Sequence, residues 1–77
     1  MSEVRIPDDL WDDDSEGAIS AWLYEDGDRV EAGAVIAEVM NEKVAAELLA
    51  PASGALAILN PAEDPVRKGQ VVARIVP

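Results

Sequence analysis

The 77-residue sequence predicts an all-β domain, a sandwich or flattened barrel with pseudo-two-fold symmetry in which one half closes on the other. Two observations carry this expectation. Gly and Pro recur along the whole chain, at Pro7, Gly17, Gly27, Gly33, Pro51, Gly54, Pro61, Pro65 and Gly69, and cut it into short pieces suited to strands and tight turns. The chain also repeats itself. GAISAWL at 17–23 lies 37 positions before GALAILN at 54–60, and VEAGAVIAEV at 30–39 lies 36 positions before VRKGQVVARI at 66–75. Each half reads as Gly, strand, acidic turn, Val, two residues, Gly, strand. A half of this size cannot bury its own apolar face, and two repeats are too few for a solenoid.

The punctuation bounds the strands in order. Val4–Ile6 stops at Pro7, Ala18–Leu23 starts after Gly17, and Val35–Met40 follows Gly33. Val44–Leu49 runs up to Pro51, Ala55–Leu59 lies between Gly54 and Pro61, and Val71–Val76 follows Gly69. Short segments around Val30 and Val66 can each add one more strand. Residues 34–50, AVIAEVMNEKVAAELLA, send a conflicting signal. They are rich in helix formers, Ile36, Met40, Val44 and Leu48 recur every four residues, and Glu38–Glu42 and Lys43–Glu47 suit helix neighbours. The repeat decides for strands, because 35–39 aligns with the strand-like VVARI of 71–75. Alternation agrees: Val44, Ala46 and Leu48 face in, Ala45 and Glu47 face out, and Asn41-Glu42 turns the chain. Trp22 and Leu23 are expected near a sheet face, Tyr24 at an edge, and Gly27, Gly33, Gly54 and Gly69 at turns.

Composition narrows the function. Half the residues are apolar (49%), but Phe is absent and thirteen are Ala, so the core is small-grained and held by Val, Ile and Leu. There is no Cys and no His, which excludes disulfides, thiolate or imidazole metal sites, cysteine nucleophiles and histidine triads. Six basic residues against sixteen acids give a net charge of −10, which excludes a basic footprint for nucleic acid or anionic membrane. Eleven of the acids lie in the first 31 residues. Most read as solubilising charge, and as a group they attract basic protein surfaces. No signal peptide, transit peptide or membrane span is visible, so a cytoplasmic address is expected. Asp12, Asp14 and Glu16 with Gly17 open like a calcium loop, but the twelfth position is Leu23, so no calcium site is expected. No apolar pocket around a spaced acid pair points to acid–base catalysis.

VMNEKVAAELLAPASGAL at 39–56 resembles the lipoyl-lysine region of lipoyl domains from 2-oxo-acid dehydrogenase complexes, in the biotinyl/lipoyl carrier family. Met40, Asn41, Glu42, Lys43 and Val44 fill the first part of the family pattern. Glu47, Leu48, Pro51 and Gly54 fill the second. Upstream, VRIPDDL at 4–10 and EGAISAWLYEDGDRVEAGAVIAEV at 16–39 match the first strand and the approach to the lysine hairpin. The likeness covers nearly the whole chain, so 1–77 reads as one lipoyl-type carrier domain. It departs at Glu42 (usually Asp), at Val44 (usually Ala) and at Trp11, in a stretch where the family often has a Gly-rich loop close to the lysine.

The resemblance implies a flattened barrel of two antiparallel sheets, the lipoyl/biotinyl hammerhead, with the modified lysine at a hairpin tip and the chain ends at the opposite end. It implies that lipoate is attached covalently to Lys43, with Glu42, Val44 and Glu47 read by the lipoylating enzyme. It implies a swinging-arm carrier, not an enzyme, serving a 2-oxo-acid or acetoin-type dehydrogenase complex. The partners implied are a thiamine-dependent decarboxylase, an acyltransferase and a flavin-dependent dihydrolipoyl dehydrogenase, with a monomer in isolation. On residues alone Lys43 is an ordinary turn lysine. It stands out because only Lys43 and Lys68 exist and Lys43 falls on the family's hairpin, whereas Lys68, matching Ala32 in the other half, reads as a surface residue. Two alternatives stay open. Biotin carriers share the fold, but their lysine sits between methionines. An unmodified lipoyl-like adaptor would carry no cofactor.

Overall fold

The computed structural model describes residues 2–12 and 15–77. Asp14 of the calcium-like stretch lies outside the described residues. Eight strands follow one another: β1 Ser2–Arg5, β2 Gly17–Trp22, β3 Arg29–Val30, β4 Val35–Met40, β5 Ala45–Leu49, β6 Gly54–Ile58, β7 Pro65–Val66 and β8 Val71–Val76. No helix occurs among the described residues. The strands form two antiparallel four-stranded sheets, ordered β1-β8-β6-β3 and β5-β4-β2-β7. The six longer strands and both short ones lie where the sequence places them, with ends shifted by one or two residues. Residues 34–50 form the β4–β5 hairpin in place of the competing helix.

The two sheets are copies of each other. Replacing β1, β8, β6 and β3 by β5, β4, β2 and β7 turns the first strand order into the second. The register repeats too. Val4 pairs with Ala73 and Arg5 with Val71, skipping Val72; Leu48 pairs with Ala37 and Leu49 with Val35, skipping Ile36. Both halves therefore carry the same bulge, which bends and twists each sheet around the core. The connecting bonds match as well. The Ile6 and Ala50 N–H groups donate at 2.9 Å to Gln70 and Ala34, and those of Leu23 and Leu59 donate at 2.9 Å to Ile36 and Val72.

The core shows why. Among the described residues fifteen buried apolar side chains form it, and fourteen fall into equivalent pairs: Val4 with Leu48, Ile6 with Ala50, Ile19 with Leu56, Val30 with Val66, Ile36 with Val72, Ala37 with Ala73 and Val39 with Ile75. Trp11 has no counterpart. It comes from residues 6–16, where the other half needs only the short link 50–53. Among the described residues no polar or charged side chain is buried. Trp22 and Tyr24 pack partly buried against this core, and the Trp22 indole N–H donates to the Asn60 carbonyl at 3.0 Å. Leu23 departs from the expectation. It is 52% exposed, because Trp22 takes the inward position and successive strand side chains alternate.

One position breaks a rule of backbone chemistry. The N–H of Gly27 (φ 92°) donates to Leu56 at 2.7 Å, and its equivalent, that of Glu63 (φ 75°), donates to Ile19 at 2.8 Å. Symmetry imposes the left-handed conformation on both, but only one is glycine, and a side chain there costs about 1–2 kcal/mol. Glu63→Gly is expected to stabilise the protein by about 0.5–1 kcal/mol after the greater freedom of unfolded glycine is subtracted. Gly27→Ala, where a Cβ meets nothing within 4 Å, should destabilise by a similar amount through backbone conformation alone. Urea unfolding of the two variants checks both signs.

Candidate functional site

The β4–β5 hairpin projects four residues beyond its last pair, Met40 with Ala45. Asn41 builds the reversal. Its backbone N–H donates to the Val44 carbonyl at 2.9 Å, and its side-chain Oδ1 accepts from the N–H groups of Lys43 (2.9 Å) and Val44 (2.8 Å). The short amide side chain does what a backbone carbonyl does in an ordinary turn, which is the physical reason asparagine suits this place. Glu42 and Lys43 are exposed at the corner. Val44 turns inward, half-buried against the core, and its bonded N–H keeps it in the turn, so β5 starts at Ala45. Glu47 lies further down β5, exposed on the outer face of the sheet. Of the four residues picked from the sequence, two stand at the tip, one pins it, and one lies beside it.

The base of the hairpin is crowded. A Cβ on Gly17 would sit 2.5 Å from the Met40 carbonyl oxygen and 2.8 Å from the Trp11 ring. Trp11, 3% exposed, is sealed in by its own loop, since its indole N–H donates to the Ser15 carbonyl at 2.9 Å. The Asn41 side-chain amide reaches Ser15 Oγ at 3.4 Å, which ties that loop to the hairpin. On the other side Lys68 Nζ donates to the Trp11 carbonyl at 3.0 Å. Lys68 is therefore not the plain surface residue its match with Ala32 suggests. It clamps a loop that the other half lacks, so the repeat could not reveal its role. Gly69, next to Lys68, donates to Ile6 at 2.7 Å, just beyond the Arg5–Val71 pair. The hairpin thus stands at that end of the β1–β8 pair, and Ser2 and Val76 lie at the far end of a body 34 Å long and 19 by 17 Å across.

Chemically, the corner places a lysine side chain at an exposed reversal. Among the described residues no group of three His, Cys, Asp or Glu could hold a metal ion. The turn at Asn41 lies where the sequence expects one, though its two bonds to Lys43 and Val44 were not foreseen; the Trp11–Lys68 anchor is a feature that sequence reasoning missed.

The sequence matches, over residues 2–75, the family described as biotin-requiring enzyme. It is 38% identical over 76 residues to the dihydrolipoyllysine-residue succinyltransferase component of the 2-oxoglutarate dehydrogenase complex of Bacillus subtilis (strain 168), covering 97% of this chain and 18% of that protein. It is 37% identical over 75 residues to the dihydrolipoyllysine-residue acetyltransferase component of the pyruvate dehydrogenase complex of Corynebacterium glutamicum, covering 96% of this chain and 11% of that protein. The chain belongs to the biotinyl/lipoyl carrier family. Within that family its relatives are acyltransferases of 2-oxo-acid dehydrogenase complexes, and it is similar to their lipoyl domains. This lipoyl domain spans less than a fifth of the length of the relatives it matches. The same type of component from Staphylococcus saprophyticus is 38% identical over 74 residues, covering 95% of this chain and 17% of that protein. No solved structure matches the sequence.

The geometry of the tip yields a prediction. Asn41→Ala removes the acceptor for two N–H groups and is expected to destabilise the protein by about 1 kcal/mol. Hydrogen exchange should speed up first at the amides of Lys43 and Val44, and Asn41→Asp, which keeps the acceptor oxygen, should restore protection.

Proposed function

We propose that this lipoyl domain is a covalent carrier, modified with lipoate on Lys43, that moves acyl groups and reducing equivalents between the enzymes of a 2-oxo-acid dehydrogenase complex. The observation that carries the reading is the position of Lys43. It is an exposed primary amine at the corner of a reversal whose neighbouring N–H groups are held by Asn41, at the end of the molecule remote from Ser2 and Val76. The other lysine, Lys68, is half-buried and bonded to the Trp11 carbonyl. Of the two lysines, Lys43 stands on the projecting tip and Lys68 lies against a loop.

The residues present fit lipoate. A lysine amine at the end of a four-carbon stem forms an amide without a buried pocket, and the exposed corner leaves room for a long arm. When attached, lipoate supplies a disulfide that takes up an acyl group and two electrons. The chain's own part is mechanical. Val44 packs on the core and Asn41 holds the backbone, so motion is confined to the side chain beyond Cα, and tethering keeps the arm's end at high effective concentration near each partner site. A thiamine-dependent decarboxylase, an acyltransferase and a flavin-dependent dihydrolipoyl dehydrogenase are the partners this cycle requires, with their own cofactors performing the bond-making steps. Glu42, beside Lys43, is the side chain a lipoylating enzyme meets together with the amine. The relatives' names speak for lipoate over biotin, since each includes a dihydrolipoyllysine residue.

Co-expression with a lipoate ligase and free lipoate should raise the intact mass by one lipoyl group. Lys43→Arg should abolish that increment and Lys68→Arg should leave it. A biotin increment with a biotin ligase, or no increment with either, sinks the reading.

A further inference from the structure

Glu38 on β4 and Glu47 on β5 are direct cross-strand partners, both exposed on the outer face of the sheet. Like charges placed opposite each other weaken a strand pair. The molecule contains its own control for this position. The equivalent pair of the other sheet is Glu3 opposite Arg74, and Glu3 also meets the Arg5 guanidinium at 2.6 Å. One sheet is neutralised at this register and its copy is left doubly negative. Neither Glu38 nor Glu47 has an ion pair among the described residues.

The two carboxylates do not stand on a flat surface. Ser20, Glu38, Val39, Met40, Ala45, Ala46 and Glu47 line a shallow open groove that runs from the anionic pair toward the hairpin. Ser20 sits where the β2–β4 register shifts, and its hydroxyl donates to the Glu38 carbonyl at 3.2 Å. At the hairpin end lie Ala45 and Met40, the latter 44% exposed. A groove apolar at one end and anionic at the other fits a long side chain with an apolar stem and a cationic head, above all arginine, whose fork can bridge two carboxylates.

We propose that this groove docks an arginine-bearing surface segment of the thiamine-dependent decarboxylase that acts on the Lys43 arm. Glu38 and Glu47 take the guanidinium, and Met40 and Ala45 take its stem. The proposal rests on Lys43 being the lipoylated residue. The choice of partner follows from substrate charge. A 2-oxo acid is an anion, so the enzyme that receives it carries positive potential around the entrance that the arm must also use. The net charge of −10 steers the domain toward such a surface, and the groove beside the hairpin orients it there.

The test copies one half of the molecule into the other. Glu38→Arg reproduces the Glu3–Arg74 arrangement on β4–β5, so the unfolding midpoint should rise by about 2–4 °C. With the lipoylated domain as substrate of the decarboxylase component of the Bacillus subtilis 2-oxoglutarate dehydrogenase complex, KM should rise about tenfold at low salt with kcat unchanged, and the gap should shrink at high salt. Glu25→Arg makes the same charge change between β2 and β3 and should leave KM within about twofold. NMR titration of the unmodified domain with that decarboxylase should shift the amides of residues 38–47 in the wild type and not in Glu38→Arg. Intact mass reports lipoylation of Lys43 separately, so failure of the carrier reading is seen on its own. Equal KM for Glu38→Arg and wild type, or an equal rise in Glu25→Arg, overturns the groove, as does unchanged NMR mapping in Glu38→Arg.

Discussion

Neither half of this chain has an apolar face it can cover by itself, and that single constraint organises everything else. Seven equivalent pairs of buried residues meet between two copies of one four-stranded sheet. Because each residue fills the place its counterpart fills in the other sheet, the alanines matter as much as the isoleucines. Ala37 and Ala73 let the bulged strands approach where a larger side chain would push them apart. Burial of each larger aliphatic side chain contributes about 1.5–3 kcal/mol, enough in total to hold a domain without Cys or Phe. The symmetry also dictates where the chain can do something new. The place taken in one half by the β4–β5 hairpin is taken in the other by the ends of β1 and β8.

Departures from symmetry gather at that loop. Trp11, the unmatched core residue, comes from the long β1–β2 connection, and its ring rests on Gly17 beneath the hairpin. Lys68 and Ser15 hold this connection from either side, and Asn41 links it to the turn. The doubly negative pair of Glu38 and Glu47 lies on the adjoining sheet face, where the equivalent pair is complementary. A repeat that served stability alone would have no reason to differ at one end more than at the other. Glu63 shows what symmetry costs: it holds a glycine conformation because its counterpart does.

The strands were legible because period-two patterning and Gly/Pro punctuation are local, and the repeat let each half check the other. That check overcame the helix signal in 34–50. Alanine and glutamate favour a helix only where nothing larger decides, and here Ile36, Val39 and Leu48 are buried as strand residues. Lys43 was singled out by resemblance and by scarcity, and local chemistry explains its setting through Asn41. The exposure of Leu23 and the clamp of Lys68 were not legible. Each depends on which of two neighbours wins the inward place, or on a loop with no counterpart in the repeat. The opposition of Glu38 and Glu47 was hidden too, since the length of the reversal at 41–44 decides which residues face each other and a one-residue slip would part them.

A carrier faces two opposed demands. Its backbone must hold still so that a partner can grip it, and its arm must move so that several partners can use it. With the arm attached at Lys43 as proposed, the hairpin separates these demands at one atom. The Lys43 and Val44 N–H groups are held by Asn41 on the inside of the turn, and Val44 packs below it. Past that point the side chain extends from an exposed corner. A helix could not do this as well. A lysine in its middle lies along the surface among neighbours three and four residues away, and one at its end sits on the part that frays first. A four-residue reversal on a bulged, core-anchored strand pair gives a fixed pivot with open space around it, and so the small size of the domain is no handicap.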